Sequence, residues 1–380
     1  MRIMIASDYD VNMYNGRYYF SSAFYTILKR YYEAFGRVVL FTRTVCCNDF
    51  VTDKYDSTDM IEYLVEARGF LAVLNRHTQK EVRSQVQQCD LIIVRVPSLN
   101  AYFAADTAKK SGKPYFAEVM GCAWDAYSHH GFIGKLIAPY MYFKMKTVVK
   151  NADYSLYVTE RYLQNKYPCD GASINASNVN ISINNNLEAR LEKIKKLNKN
   201  RIVLMTAAAI DVRYKGQEYV IKAIPLLNKM GIHVEYKLIG NGDKSYLYNI
   251  AKECNVLNQI EFVGGLSHKN VLNQMDDADI YIQPSLQEGL PRSMIEAMSR
   301  GCICMGANTA GIPELIDAKF IFKRKNYFEI ADIIERICNT KNIETEVYKN
   351  YEKSKEYDNA LLNKKRNLFY QNIIEKIENR

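Results

Sequence analysis

Several features are missing from this chain, and each absence excludes something. A run of roughly 18 apolar residues, the minimum for a membrane-spanning helix, does not occur. The opening Met1-Arg-Ile-Met-Ile-Ala run is too short for a secretory leader and gives way to Ser7, Asp8 and Asp10, so a cytoplasmic location is expected. No C-x-x-C spacing is found among the nine cysteines. Cys46-Cys47 are adjacent and Cys302-Ile-Cys304 lie in an expected buried strand, and neither spacing suits zinc. Reduced thiols are the expectation. No G-x-G-x-x-G follows the first strand, which argues against a dinucleotide-dependent dehydrogenase. The lysines and arginines are spread along the chain without a nucleic-acid motif, so no nucleic-acid partner is expected. The net charge of +9 still suits anionic partners such as nucleotide phosphates or lipid headgroups.

What is present is alternation. At roughly 150 residues per domain, 380 residues suggest two domains. In the first half, strands are expected at 3–6, 37–41, 90–95, 114–119 and 154–158, with helices over 20–34, 101–110 and 136–150. An Asn- and Ser-rich stretch over 171–185 and a basic one with Arg190, Lys193 and Lys195 mark a boundary. Alternation then resumes, with strands at 201–207, 234–239, 260–263, 280–283 and 303–305 and helices between them. The expected division is a domain over 1–185, a linker over 186–200, a second domain over 201–360 and a terminal helix over 361–380. Strand and helix in alternation give an α/β class with parallel sheets covered on both faces. Ligands in such sheets bind beyond the carboxyl ends of the strands.

One such loop is chemically distinctive. The strand Ile280-Tyr-Ile-Gln283 ends at Pro284, and Glu288-Gly-Leu-Pro-Arg-Ser-Met-Ile-Glu296 follows, with a helix opening near Ser293. Free N–H groups at a helix N-terminus favour an anion such as diphosphate. Gly289 lets the backbone approach a ligand closely. Two carboxylates, Glu288 and Glu296, can accept hydrogen bonds from separate hydroxyl groups. A second loop, Asp211-Val-Arg-Tyr-Lys215-Gly216, follows the strand 201–207 and offers Arg213 and Lys215 as cations.

The segment resembles the E-x7-E signature of GT-B retaining glycosyltransferases, family 4. Gln283-Pro-Ser285 looks like that family's PS, Ala297-Met-Ser-Arg-Gly301 its EAMA-x-G, and Ala310-Gly-Ile-Pro-Glu314 its GGIPE. Glu235 to Gly242 with Phe262-Val-Gly264 is similar to its L-x-I-x-G-x-G and F-x-G segments. The resemblance covers most of 200–320. It implies a GT-B architecture of two Rossmann-like domains facing across a deep cleft, the second holding a UDP- or GDP-linked sugar. It implies that Glu296 binds the nucleotide ribose and Glu288 the donor sugar. Gly289, Leu290 and Pro291, with Arg292 and Ser293 at the helix start, would approach sugar and diphosphate. Val263, Gly264 and Leu266 would line the base pocket, and Gly240 and Gly242 would floor the nucleotide site. Lys215 is similar to the family's diphosphate-binding lysine. The commoner pattern has Gly-Arg just upstream of that lysine, where this chain has Ile210 five residues before it, and Arg213 is the candidate replacement.

The resemblance is weaker over 1–185, which would shape the acceptor site. The family's glycine-rich first loop is represented by Asn15-Gly16. The loop Gly121-Cys-Ala-Trp124-Asp125-Ala-Tyr-Ser-His129-His130-Gly131 holds the single tryptophan. His130 is the first choice for a donor-sugar contact, with His129 and Asp125 next. Trp124 is placed on the acceptor side. The implied chemistry is hexosyl transfer with retention, to a carbohydrate or lipid-linked acceptor, needing no metal or other cofactor. Alternatives are another GT-B activity, such as a nucleotide-sugar epimerase or a phosphorylase, and a non-catalytic partner subunit. Of two Asp-x-Asp triplets, Asp277-Ala-Asp279 lies at the amino end of its strand and reads as a polar turn, while Asp8-Tyr-Asp10 follows the first strand. The segment 132–150 mixes Ile133, Leu136, Ile137, Tyr140, Met141 and Phe143 with four lysines. These apolar residues are expected to face the core. The alternative is peripheral contact with an anionic membrane at its inner face.

Overall fold

The computed structural model describes residues 1–47, 54–69, 71–128, 131–179, 181, 183, 187–197 and 199–379. The chain divides into two compact units, Met1–Ala176 with Asn363–Arg380, and Ser177–Leu362.

The first unit is built on a nine-stranded sheet. Its strands are β1 (Arg2–Tyr14), β2 (Arg17–Phe20), β3 (Arg37–Cys46), β4 (Tyr55–Asp56), β5 (Ile61–Ala67), β6 (Leu91–Val96), β7 (Tyr115–Val119), β8 (Tyr154–Tyr157) and β9 (Ala172–Asn175). Strands β5, β3, β1, β6, β7, β8 and β9 run parallel in that order. Strands β6 and β7 are buried along their whole length, as parallel strands covered on both faces must be. One charged pair interrupts this apolar layer. Arg95 on β6 and Glu118 on β7 are direct register partners. Arg95 Nε donates to Glu118 Oε2 at 2.5 Å, and each side chain is 1 % exposed. Tyr31 also donates to Glu118 Oε2, at 2.9 Å. The guanidinium lies 5.4 and 5.3 Å from the ring centroids of Tyr9 and Phe24.

The terminal helix spans Asn359–Glu378. From Asn363 onward it belongs to the first unit. Tyr370 packs against Tyr31, Phe35 and Phe116, and Phe369 against Phe116 and Tyr154. Arg366 is buried with them; burial first, then the neighbouring Arg30, pushes its guanidinium down to about 10, against the opposing effect of Tyr370, Glu118 and Tyr31.

Three sequence expectations change here. The first strand does not end at Ala6. It shifts register between Ala6 and Asp10 and continues to Tyr14, so Asn15-Gly16 is the two-residue turn of a β1–β2 hairpin and not a strand-to-helix loop. Both residues take positive φ, 46° and 73°, the left-handed pair that Asn-Gly supplies in such hairpins. The stretch 186–200 is not a bare linker, since Leu187–Lys195 is helical. Its buried Arg190 donates to the carbonyls of Gly301 and Asp276 at 2.9 and 2.8 Å, and also to that of Ala278. The third change is in the helix Gly131–Lys150. It buries Gly134, Ala138, Met141, Met145, Val148 and Val149, but leaves Ile133, Leu136, Tyr140 and Phe143 exposed where a core contact was expected.

The second unit has a six-stranded sheet of β10 (Ile202–Ala207), β11 (Val234–Ile239), β12 (Ile260–Gly264), β13 (Ile280–Gln283), β14 (Ile303–Ala307) and β15 (Ile321–Phe322). Every pair is parallel, in the order β12-β11-β10-β13-β14-β15. The order therefore reverses between β10 and β13. Loops leaving those two strands lie at the carboxyl edge of the sheet, where ligands bind in open α/β sheets. These are the loops that carry Lys215 and Glu288.

Candidate functional site

The loop after β10 turns through a short 3-10 segment, Arg213–Lys215, and Gly216 opens the helix Gln217–Lys229. Gly216 has φ 75°, and a Cβ there would lie 2.1 Å from the Pro284 carbonyl oxygen. Only glycine lets this loop lie so close to the loop leaving β13. Leu286 N–H donates to the Tyr214 carbonyl at 2.7 Å and fastens the two together. The closeness has a chemical result. Lys215 Nζ reaches Glu288 Oε1 at 2.8 Å, with the side chains 23 % and 11 % exposed.

The carboxylate of Glu288 is held from a second side. Gln283 Nε2 donates to the same Oε1 at 3.0 Å and to Ser285 Oγ at 2.8 Å. Gln283 Oε1 lies 2.9 Å from the Tyr281 hydroxyl, which is itself 2.8 Å from Ser293 Oγ. Burial pushes the Tyr281 phenol above its ordinary range, so it stays a neutral partner. This buried polar chain runs from Ser293 to Glu288 and fixes the loop on both sides of its turn. Pro291 precedes the helix Arg292–Ser299, which buries Met294, Ile295, Ala297 and Met298 and so aims its N-terminus at the same loop edge. Leu290 and Pro291 are buried and Arg292 is exposed. The Gly289 carbonyl accepts from Gly311 N–H at 2.9 Å, tying in the loop after β14.

Glu296 lies further along this helix, 14 % exposed, with Oε1 3.1 Å from His268 Nε2. His268 begins the helix His268–Asp277, after β12. The β11 loop joins this edge through close backbone packing. A Cβ at Gly240 would lie 2.0 Å from the Ala208 carbonyl, and one at Gly242 would strike Asp211 Oδ1 at 2.4 Å. Gly240 N–H donates to the Gly264 carbonyl at 2.9 Å. Val263, Gly264 and Leu266 follow on at half-buried positions. Arg213 points elsewhere in this loop cluster, with its guanidinium 4.3 Å from the Tyr246 ring centroid.

The structure thus brings Lys215, Glu288, Gln283 and Ser293 into one bonded group, and sets Glu296 with His268. Sequence reasoning gave no role to Tyr281, Gln283 or His268. Tyr281 and Gln283 had a signal, because alternate residues of a strand share a face. In the first unit, Trp124 is exposed and Asp125 buried on the helix Ala123–Ser128. His129 and His130 lie outside the described residues. Asp279 is occupied structurally, accepting from Val203 N–H at 2.9 Å and facing Lys193 at 3.6 Å. Asp8 accepts from Leu99 N–H at 3.2 Å, and Arg43 Nε sits 3.1 Å from Asp10. Among the described residues no three of His, Cys, Asp or Glu converge on one point, and no helix is long and apolar enough to cross a membrane.

Two α/β units, each built on a largely parallel sheet, match the fold of GT-B glycosyltransferase structures over the whole chain. Anabaena HepE, solved in complex with UDP and also with UDP-glucose, superposes with a TM-score of 0.65 in the UDP complex, at 16 % identity, over 100 % of both chains. The family model for glycosyl transferases group 1 matches residues 188–355. Protein CapJ of Staphylococcus aureus is 30 % identical over 348 residues, which are 88 % of this chain and 86 % of that protein. The amylovoran biosynthesis glycosyltransferase AmsK of Erwinia amylovora is 32 % identical over 110 residues, 27 % of each chain. The chain belongs to the glycosyl transferases group 1 family.

Proposed function

We propose that the chain transfers a hexosyl group from a UDP- or GDP-linked sugar to a hydroxyl of a carbohydrate or lipid-linked acceptor, with retention of anomeric configuration. The observation that carries this reading is the Lys215–Glu288 pair at the point where the strand order reverses, beside a helix N-terminus. Glu296 accepts from the ribose hydroxyls and Glu288 from a sugar hydroxyl. Lys215, together with the first N–H groups of the helix Arg292–Ser299, faces the diphosphate. A polysaccharide product is supported by likeness to the amylovoran enzyme, and a uridine donor by likeness to HepE.

The step is front-face substitution. The bond from the sugar C1 to the diphosphate oxygen breaks, and the bond to the acceptor oxygen forms on the same face. The acceptor proton passes to the departing diphosphate, so no enzyme nucleophile is needed. Negative charge develops on that diphosphate, where Lys215 and main-chain N–H groups stabilise it. Charge stabilisation by the chain's own cation makes this a metal-independent route. The first unit shapes the acceptor site in this scheme.

Product analysis tests it. With sugar-labelled UDP-glucose or GDP-mannose and an extract of candidate acceptors, the label should appear in an acceptor with the donor's anomeric configuration, read by NMR coupling constants. An inverted product removes the front-face step. Label found only in an isomerised donor points to an epimerase, and label left unchanged in the donor points to a partner subunit.

A further inference from the structure

We propose that the outward face of the helix Gly131–Lys150 lies flat on an anionic lipid bilayer. The helix has two apolar faces. One packs into the first unit through Ala138, Met141, Met145, Val148 and Val149. The other presents Phe132, Ile133, Leu136, Tyr140 and Phe143 to solvent, at 77, 74, 64, 62 and 65 % exposure. At helical spacing, Phe132, Leu136, Tyr140 and Phe143 form one stripe, with Ile133 at its edge. So many large apolar groups on one exposed stripe mark an interaction surface.

The charges around the stripe select the occupant. The helix contains no Asp or Glu. Lys135, Lys146 and Lys150 are exposed along it, while the fourth lysine, Lys144, is taken by Asp106 at 2.5 Å. A second copy docked by this face would set lysine against lysine. An anionic bilayer instead accepts both features, since apolar side chains enter the headgroup boundary while lysines meet lipid phosphates. Tyr140 carries an apolar ring with a polar tip, which suits that boundary. Neither this helix nor any other among the described residues is apolar enough to span, so the contact is peripheral. Resting on the proposed transfer, the consequence is that the acceptor is lipid-linked and is met at the bilayer surface.

The test is co-flotation of the full chain with vesicles of phosphatidylcholine alone or mixed with phosphatidylglycerol. Wild type should bind the mixed vesicles, and roughly tenfold more weakly the neutral ones or at high salt. Phe132→Ser/Leu136→Ser/Phe143→Ser and Lys135→Glu/Lys146→Glu should each weaken binding to mixed vesicles roughly tenfold or more. All five side chains are exposed, so the thermal midpoint should not move. Equal binding to both vesicles, no binding, or a dimer dissolved by the serine substitutions would overturn the proposal. Titration with UDP and GDP in the same preparations separates the two readings. Nucleotide binding without vesicle binding defeats the docking alone, and vesicle binding without nucleotide binding defeats the donor site alone.

Discussion

Lys215→Ala should lower kcat about 10²- to 10³-fold at saturating donor, the loss typical of removing one group that stabilises a developing oxyanion. The effect is expected mainly in kcat, because in the proposed step the charge opposite Lys215 grows as the diphosphate leaves. The substitution also frees Glu288 Oε1 from its 2.8 Å partner. Gln283 remains bonded to that oxygen at 3.0 Å, so the loop should keep its place. Lys215→Arg should restore little, since a planar fork does not reproduce the contact of a compact ammonium with Glu288 Oε1 at 2.8 Å. Steady-state kinetics with a fixed acceptor would check this, with the thermal midpoint as a control for folding. A rate within about threefold of wild type would remove Lys215 from the transition state, as 10-fold corresponds to only about 1.4 kcal/mol.

Glu118→Leu should destabilise the first unit by about 3–5 kcal/mol, because it leaves a buried charge without its partner. Two cations depend on this carboxylate. Arg95 is bonded to it directly, and Arg366 from the terminal helix feels it nearby. The Tyr31 hydroxyl loses its acceptor as well. Thermal unfolding should move down by roughly 10 °C, at a few degrees per kcal/mol for a unit of this size. The double substitution Arg95→Met/Glu118→Leu should recover much of the loss, since well-packed apolar groups often replace a buried ion pair without cost. If the single substitution left the midpoint unchanged, the pair would not be what holds β6 to β7.

The second unit was legible chiefly because its central strands β10, β13 and β14 are buried almost throughout. Ile280–Gln283 lies where its apolar run placed it, and Val234–Ile239 where the alternation of apolar residues with Glu235 and Lys237 did. Elements held by polar residues were not legible. The helix Arg76–Gln88 buries Thr78 and Gln85 beside Val82 and Val86, so its apolar period is thin. Strand β5 is half exposed, and no strand was expected there. Arg190 looked like linker charge, yet its stem and fork are buried against three carbonyls. The outward stripe of Gly131–Lys150 misled for a different reason. Periodicity reports which residues share a helix face, not whether the fold covers that face.

At the site, Lys215, Glu288 and Glu296 stood out singly, while their pairings did not. The Lys215–Glu288 bond needs β10 beside β13, a neighbour relation between strands that alternation alone does not order. The His268–Glu296 contact needs the helices after β12 and β13 to lean together, which no local pattern encodes.

The most direct measurement is calorimetric titration of wild type and Glu296→Ala with UDP and with GDP. Wild type should bind one of the two saturably at a single site, and Glu296→Ala should bind that nucleotide roughly 10- to 100-fold more weakly, the worth of one or two charge-assisted hydrogen bonds to ribose. Equal affinities in the two proteins, or no binding of either nucleotide by wild type, would contradict a donor site at the reversal of strand order.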